Sequence, residues 1–129
     1  LNTTDGGFQF IVNGHPVYAK GANYVPPDMF HPRFTNPAFK PGFSLEQYMD
    51  TIVDSNYNMI RVWGGGQYET NEFYEELTKR GIMAFHDFMF SESSYPSNDE
   101  FLDNILPEIV QQVRRIRNYP ALVLWSGNN

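Results

Sequence analysis

The last eight residues, Leu122-Val123-Leu124-Trp125-Ser126-Gly127-Asn128-Asn129, constrain the fold more than any other stretch of this 129-residue chain. The apolar, β-branched and aromatic run reads as a buried strand. It ends in small and amide side chains that a dry core would leave unpaired. A helical pattern precedes it and stops at Arg117-Asn118-Tyr119-Pro120. The order is therefore helix, proline stop, buried strand, then two asparagines at the strand's carboxyl end. In a parallel α/β sheet or barrel that end is where ligands bind and catalytic side chains gather. With no turn, cap or tail after a central strand, the chain is expected to be a piece cut at that strand.

The rest of the chain supplies the elements such a strand needs. Phe8 to Val12 alternates, Asn13-Gly14 is a turn dipeptide, and His15 to Lys20 extends again, which predicts a hairpin. The second arm is expected to run on, Val17 to Tyr24 forming the first strand of a sheet. Val25 to Phe43, with Pro26, Pro27, Pro32, Pro37 and Pro41, reads as one long loop, and loops of that length in a compact domain are usually functional. Ser44-Leu45-Glu46-Gln47 is a capping box, and Leu45, Tyr48, Met49, Ile52 and Val53 then share one helical face. Asn58 to Trp63 is a second strand, followed by Gly64-Gly65-Gly66. A second helix is spaced by Phe73, Tyr74 and Leu77 and closed by Gly81. Ile82 to Phe90 is a third strand and Ser91 to Asn98 a serine-rich loop. A third helix follows through Phe101, Leu102, Ile105, Ile109, Val113 and Ile116, with Pro107 expected to kink or restart it.

Strands alternating with helices at this spacing imply right-handed βαβ units and a parallel sheet. A doubly wound sheet would carry helices on both faces and usually a phosphate loop, but the triple glycine lacks G-x-G-x-x-G or G-K-[ST]. The other architecture is half of a (β/α)8 barrel, whose whole runs to about 250 residues. Four strands and an end on the fourth match that half, so the expected fold class is α/β, strands 1–4 of a TIM barrel with an N-terminal β-hairpin.

Composition narrows the function. Hydrophobic residues make up 41% and aromatics 16%, which is a foldable chain rich in rings that serve a core or a sugar-stacking surface equally well. A net charge of −6 with no basic run argues against nucleic acid and anionic membrane as partners. There is no cysteine, hence no thiolate metal site and no Cys nucleophile, and His15, His31 and His86 have no metal-ligand spacing. No metal and no cofactor are expected. Asn2-Thr3-Thr4 fits the N-glycosylation pattern, a motif short enough to match by chance.

The polar residues at strand ends carry the candidate chemistry. Arg61 and Trp63 share strand parity, and a guanidinium among apolar neighbours needs a carboxylate, either as a structural ion pair or to orient a catalytic group. Trp63 before three glycines suits an uncovered sugar platform or an aromatic packed at a tight turn. Asp87 could bond sugar hydroxyls, cap the next loop or pair with Arg61. Asn128 and Asn129 are neutral amides that donate and accept, suited to a sugar hydroxyl or to starting a loop. Glu92 lies in the serine-rich loop with no fixed geometry, and Glu72, Glu75 and Glu76 read as a solvated helix face.

Four blocks in order resemble the β-mannosidases of glycoside hydrolase family 2. They are Lys20-Gly21-Ala22-Asn23-Tyr24-Val25-Pro26-Pro27-Asp28 after Val12-Asn13-Gly14; Arg61-Val62-Trp63-Gly64-Gly65-Gly66-Gln67-Tyr68-Glu69; Asp87-Phe88-Met89-Phe90 with Tyr95-Pro96; and Trp125-Ser126-Gly127-Asn128-Asn129. The resemblance covers the chain from about Phe8 onward and implies the first half of that family's catalytic barrel over residues 1–129. It implies a retaining exo-β-mannosidase acting on terminal β-mannose of a β-mannoside or mannose-terminated oligosaccharide, lysosomal or secreted if eukaryotic. Other family 2 exo-glycosidases and a non-catalytic carbohydrate-binding domain are the alternatives. By resemblance Trp63 and Asp87 line the −1 subsite, Arg61 holds the nucleophile, Asn23 belongs to the substrate site, and Asn129 bonds the 2-hydroxyl. Where the family often has Gln before that aspartate, this chain has His86. No catalytic carboxylate is then in this chain, the acid/base glutamate being expected at position 130 and the nucleophile on a later strand. The rest of the parent enzyme is the implied partner.

Overall fold

The computed structural model describes residues 1–3, 7–36, 38–39 and 44–129. Strands β1 (Phe10–Val12) and β2 (His15–Val17) form the antiparallel hairpin, Val12 facing His15. Asn13 and Gly14 both take positive φ, 51° and 80°, the twist-matched turn that the Asn-Gly pair favours. The second arm does not continue into the main sheet. β3 (Gly21–Tyr24) starts afresh after Tyr18–Lys20. The Asn58 side chain clamps this break, donating to the Tyr18 carbonyl and accepting from the Lys20 N–H.

Four parallel strands follow in spatial order β3, β4 (Met59–Val62), β5 (Met83–Asp87) and β6 (Leu122–Ser126). β3, β4 and β5 are each shorter than the expected strand, because flanking residues turn into loops, whereas β6 takes in the whole apolar run and Ser126. Between β3 and β4 lie α1 (His31–Thr35), a single short helix inside the expected loop with Pro32 near its start, and α2 (Leu45–Asp54). Pro37 and residues 40–43 of that loop lie outside the described residues, as does Thr4 of the glycosylation pattern. The capping box of α2 is complete: Ser44 Oγ accepts from the Gln47 N–H and Gln47 Oε1 from the Ser44 N–H. α3 (Asn71–Arg80) ends on Gly81 in the left-handed region, with Ile82 bonded back to Leu77. α4 (Asp99–Ile116) runs unbroken through Pro107, against expectation. Pro107 and Asp103 are both exposed, so the carbonyl deprived of its helical donor can be met by water.

One core joins these elements. Tyr24, Ile60, Val62 and Ala84 of the sheet pack with Met49 and Ile52 of α2, Phe73, Tyr74 and Leu77 of α3, and Ile116 of α4. Val53 remains exposed, and Leu102 of α4 also faces outward. The helices thus cover one face of the sheet. The doubly wound alternative, with helices on both faces, does not describe these residues. The row Asn23, Arg61, Phe85 and Leu124 runs across the other face, none of the four fully buried. A β-bulge at Val123 sets that row: Leu122 pairs with Ala84, but Leu124 pairs with Phe85, and Trp125 falls beside buried His86.

Gly21 reports on how closely β3 approaches β4, since a Cβ there would lie 1.6 Å from the Met59 carbonyl oxygen. Gly21→Ala should therefore destabilise the protein by about 3 kcal/mol, the upper end of overpacking costs. A denaturation midpoint equal to the parent's would contradict the register.

Candidate active site

Arg61, near the carboxyl end of β4, is the centre of a polar cluster. Its Nη2 donates to Asp87 Oδ2 at 2.6 Å and its Nε to Oδ1 at 3.2 Å, a forked pairing. Asp87 closes β5 with a side chain sealed from solvent, against 26% exposure for Arg61. The Gly64 N–H adds a third bond to Asp87 Oδ2 at 3.1 Å. Both carboxylate oxygens are therefore engaged, and none of the carboxylate is open to solvent.

Arg61 then gathers the amides. Nη1 donates to Asn23 Oδ1 at 3.1 Å, and Nη2 to Asn129 Oδ1. Asn23 comes from β3, Arg61 from β4, Asp87 from β5 and Asn129 from just past β6, so the carboxyl ends of four parallel strands converge here. Continued strand alternation would put Asn129 on the face of Trp125, but the strand does not run that far. β6 ends at Ser126, whose hydroxyl donates to the Asn128 carbonyl and turns the chain. Trp125 packs against His86 and stacks on Phe88, while Asn129 swings to Arg61.

Trp63 enters beside the cluster, its neighbour Gly64 holding Asp87. The indole lies over the Gly65 backbone, where a Cβ would fall 2.1 Å from a ring carbon. At Gly64 a Cβ would come 2.5 Å from the Phe88 carbonyl, so only glycine lets this turn approach β5. Trp63, Val25, Pro26, Asp28, Met29 and Gln67 border a pocket of roughly 130 Å³. A partly exposed indole on glycine is a flat apolar surface able to stack a sugar ring.

No protein-family model matches the chain. The β-mannosidase of Capra hircus is 43% identical over 122 residues, 95% of this chain and 13% of that protein. The β-mannosidase of Bos taurus is 41% identical over 128 residues, 99% of this chain and 14% of that protein. Among solved structures, the β-D-mannosidase of Dictyoglomus thermophilum matches with a TM-score of 0.82 at 42% identity, over 95% of this chain and 14% of that one. This chain is homologous to one segment of the β-mannosidases. It spans about 13% of the length of the curated relatives it matches.

Within that β-mannosidase-like segment, the structure fixes two further carboxylates: Glu69, and Glu92, which was expected to have no fixed geometry. Glu69 is buried and accepts from the Tyr24 hydroxyl at 2.9 Å and from His31 Nε2 at 2.6 Å, tying α1 to the end of β3. Burial, then the Glu69 carboxylate, pushes the Tyr24 hydroxyl far above the usual tyrosine range. The only sequence signal of Glu69 is its place at the end of the Gly-rich segment Gly64 to Glu69. Glu92 reaches the cluster itself, its Oε1 accepting from Asn129 Nδ2 at 3.3 Å.

His86 sits behind the site on the helix-covered face. Its Nδ1 lies 2.7 Å from the Asp87 carbonyl, which can only accept, so Nδ1 carries the proton and bare Nε2 accepts from the Tyr74 hydroxyl at 2.8 Å. Burial lowers its pKa from 6.5 to about 4. A folded-state value below the unfolded one means the unfolded chain takes up the proton first. The stabilisation is thus complete above about pH 6.5 and lost as pH falls towards 4, on the order of 3 kcal/mol in all. His86→Gln, which can keep both bonds without titrating, should flatten the fall in melting temperature between pH 7 and 4.5. Parallel melting curves for parent and variant would contradict this.

Proposed function

We propose that this chain is the first half of the catalytic barrel of a retaining exo-β-mannosidase, forming one wall of its −1 subsite. The observation that carries the reading is the convergence of Asn23, Arg61, Asp87 and Asn129 from the carboxyl ends of four sequential parallel strands. That end bears the active site in TIM-barrel enzymes. The sequential strand order and the helices on a single face also support a barrel. So does the half-open face, since parallel sheets are covered on both sides in finished folds.

Each residue takes a role the geometry suits. Trp63 stacks the sugar. Arg61, fixed by Asp87, presents positive charge to a carboxylate nucleophile supplied by the rest of the parent protein. The Asn129 amide donates to the 2-hydroxyl, a contact that strengthens as the ring becomes oxocarbenium-like. The acid/base glutamate follows at position 130, about 5–5.5 Å from the nucleophile as retention requires. The isolated chain, with neither carboxyl, is inactive.

The test uses the full-length parent protein, an aryl β-mannoside and its 2-deoxy analogue. Asn129→Ala should lower kcat and kcat/KM together by about a hundredfold on the β-mannoside, the usual effect of one preorganised donor. The 2-deoxy substrate lacks the contact and should lose far less. Equal losses on both would make Asn129 a support of the strand end. Failure of the parent protein to cleave the β-mannoside would refute the activity.

A further inference from the structure

Glu92 combines two features that rarely meet in an exposed loop. Its φ is 59°, in the left-handed region that strains a residue with a Cβ. Its carboxylate meets the Asn129 amide at 3.3 Å. The segment is braced on both sides of the strained residue, since the Tyr95 hydroxyl donates to the Ser91 carbonyl at 3.2 Å and the Tyr95 ring meets Phe90 edge-on at 5.3 Å.

The amide of an asparagine can sit in either of two orientations with little cost of its own. Arg61 has only donors, so it can meet only Oδ1. A carboxylate has only acceptors, so Glu92 can meet only the nitrogen. Cation and anion at opposite ends of the amide select the same orientation. One N–H of Asn129 is then held by Glu92, and the planar amide fixes the direction of the other.

We propose that Glu92 is a positioning residue for Asn129, locking its amide with an N–H aimed at the sugar hydroxyl it serves. The proposal rests on reading Asn129 as the amide that touches substrate. Glu92 itself reacts with nothing. Being exposed, it contributes through orientation more than through burial.

The experiment is a double-mutant cycle in the full-length parent protein, read by kcat/KM on an aryl β-mannoside and by melting temperature. Glu92→Ala should lower kcat/KM on the order of tenfold, the scale of one hydrogen bond to a charged group, with most of the loss in kcat. Glu92→Gln, whose Oε1 still accepts, should recover most of it. In the Asn129→Ala background Glu92→Ala should cost less than about twofold, because the group it positions is gone. The melting temperatures should be non-additive in the same way, and that measurement needs no substrate. An undiminished kcat/KM in Glu92→Ala, an equal loss in both backgrounds, or additive melting temperatures would overturn the proposal. A parent protein inactive on β-mannosides but non-additive in melting would refute the mannosidase reading while supporting the Glu92–Asn129 lock.

Discussion

A carboxylate shut away from water needs its charge met by the protein, and here one guanidinium meets it. Asp87 is wholly sealed, and the fork from Arg61 with the Gly64 N–H occupies both its oxygens. Several features follow from that one pairing. Gly64 must be glycine so that its backbone reaches the carboxylate past the Phe88 carbonyl. Trp63 is thereby set at the mouth of the turn. Arg61, anchored on one side, has its remaining N–H groups free to draw in Asn23 from β3 and Asn129 from the turn past β6. The ion pair is thus the frame on which the polar end of the sheet is hung.

The two faces of the sheet show why the frame stands where it does. Tyr24, Ile60, Val62 and Ala84 bury themselves under the helices, and this apolar side supplies the cohesion of the described residues. Across the sheet, Asn23, Arg61, Phe85 and Leu124 keep contact with solvent. The face holds just enough polarity, gathered at the carboxyl ends, to be hydrated there. Behind it, His86 stays neutral near neutral pH, held between Tyr74 and the Asp87 carbonyl.

Much of this was legible because it is local. The Asn13-Gly14 turn, the Ser44 to Gln47 capping box and the left-handed Gly81 each rest on residues a few positions apart, where spacing states the physics. The parallel order followed from strand and helix alternation, and the need of Arg61 for a carboxylate followed from its apolar neighbours. What escaped is non-local or cumulative. The bulge at Val123 depends on how β6 meets β5, and nothing in Leu-Val-Leu-Trp announces it. The reach of Asn129 to Arg61 and of Glu92 to Asn129 joins residues 68 and 37 positions apart. The burial of Glu69 comes from Tyr24 and His31, 45 and 38 positions away in the chain. The passage of α4 through Pro107 is a balance of energies that spacing cannot weigh.

If the Arg61–Asp87 pair is the organising constraint, losing one partner must be worse than losing both. The direct measurement is the denaturation midpoint of the full-length protein carrying Arg61→Met, compared with Arg61→Met combined with Asp87→Asn. Arg61→Met leaves a buried carboxylate unpaired and should cost about 3 kcal/mol or more. The second change removes the stranded charge while keeping an acceptor for the Gly64 N–H, so the double variant should be the more stable of the two. A double variant less stable than Arg61→Met would contradict the account, for Asp87 would then be stabilised by something other than Arg61.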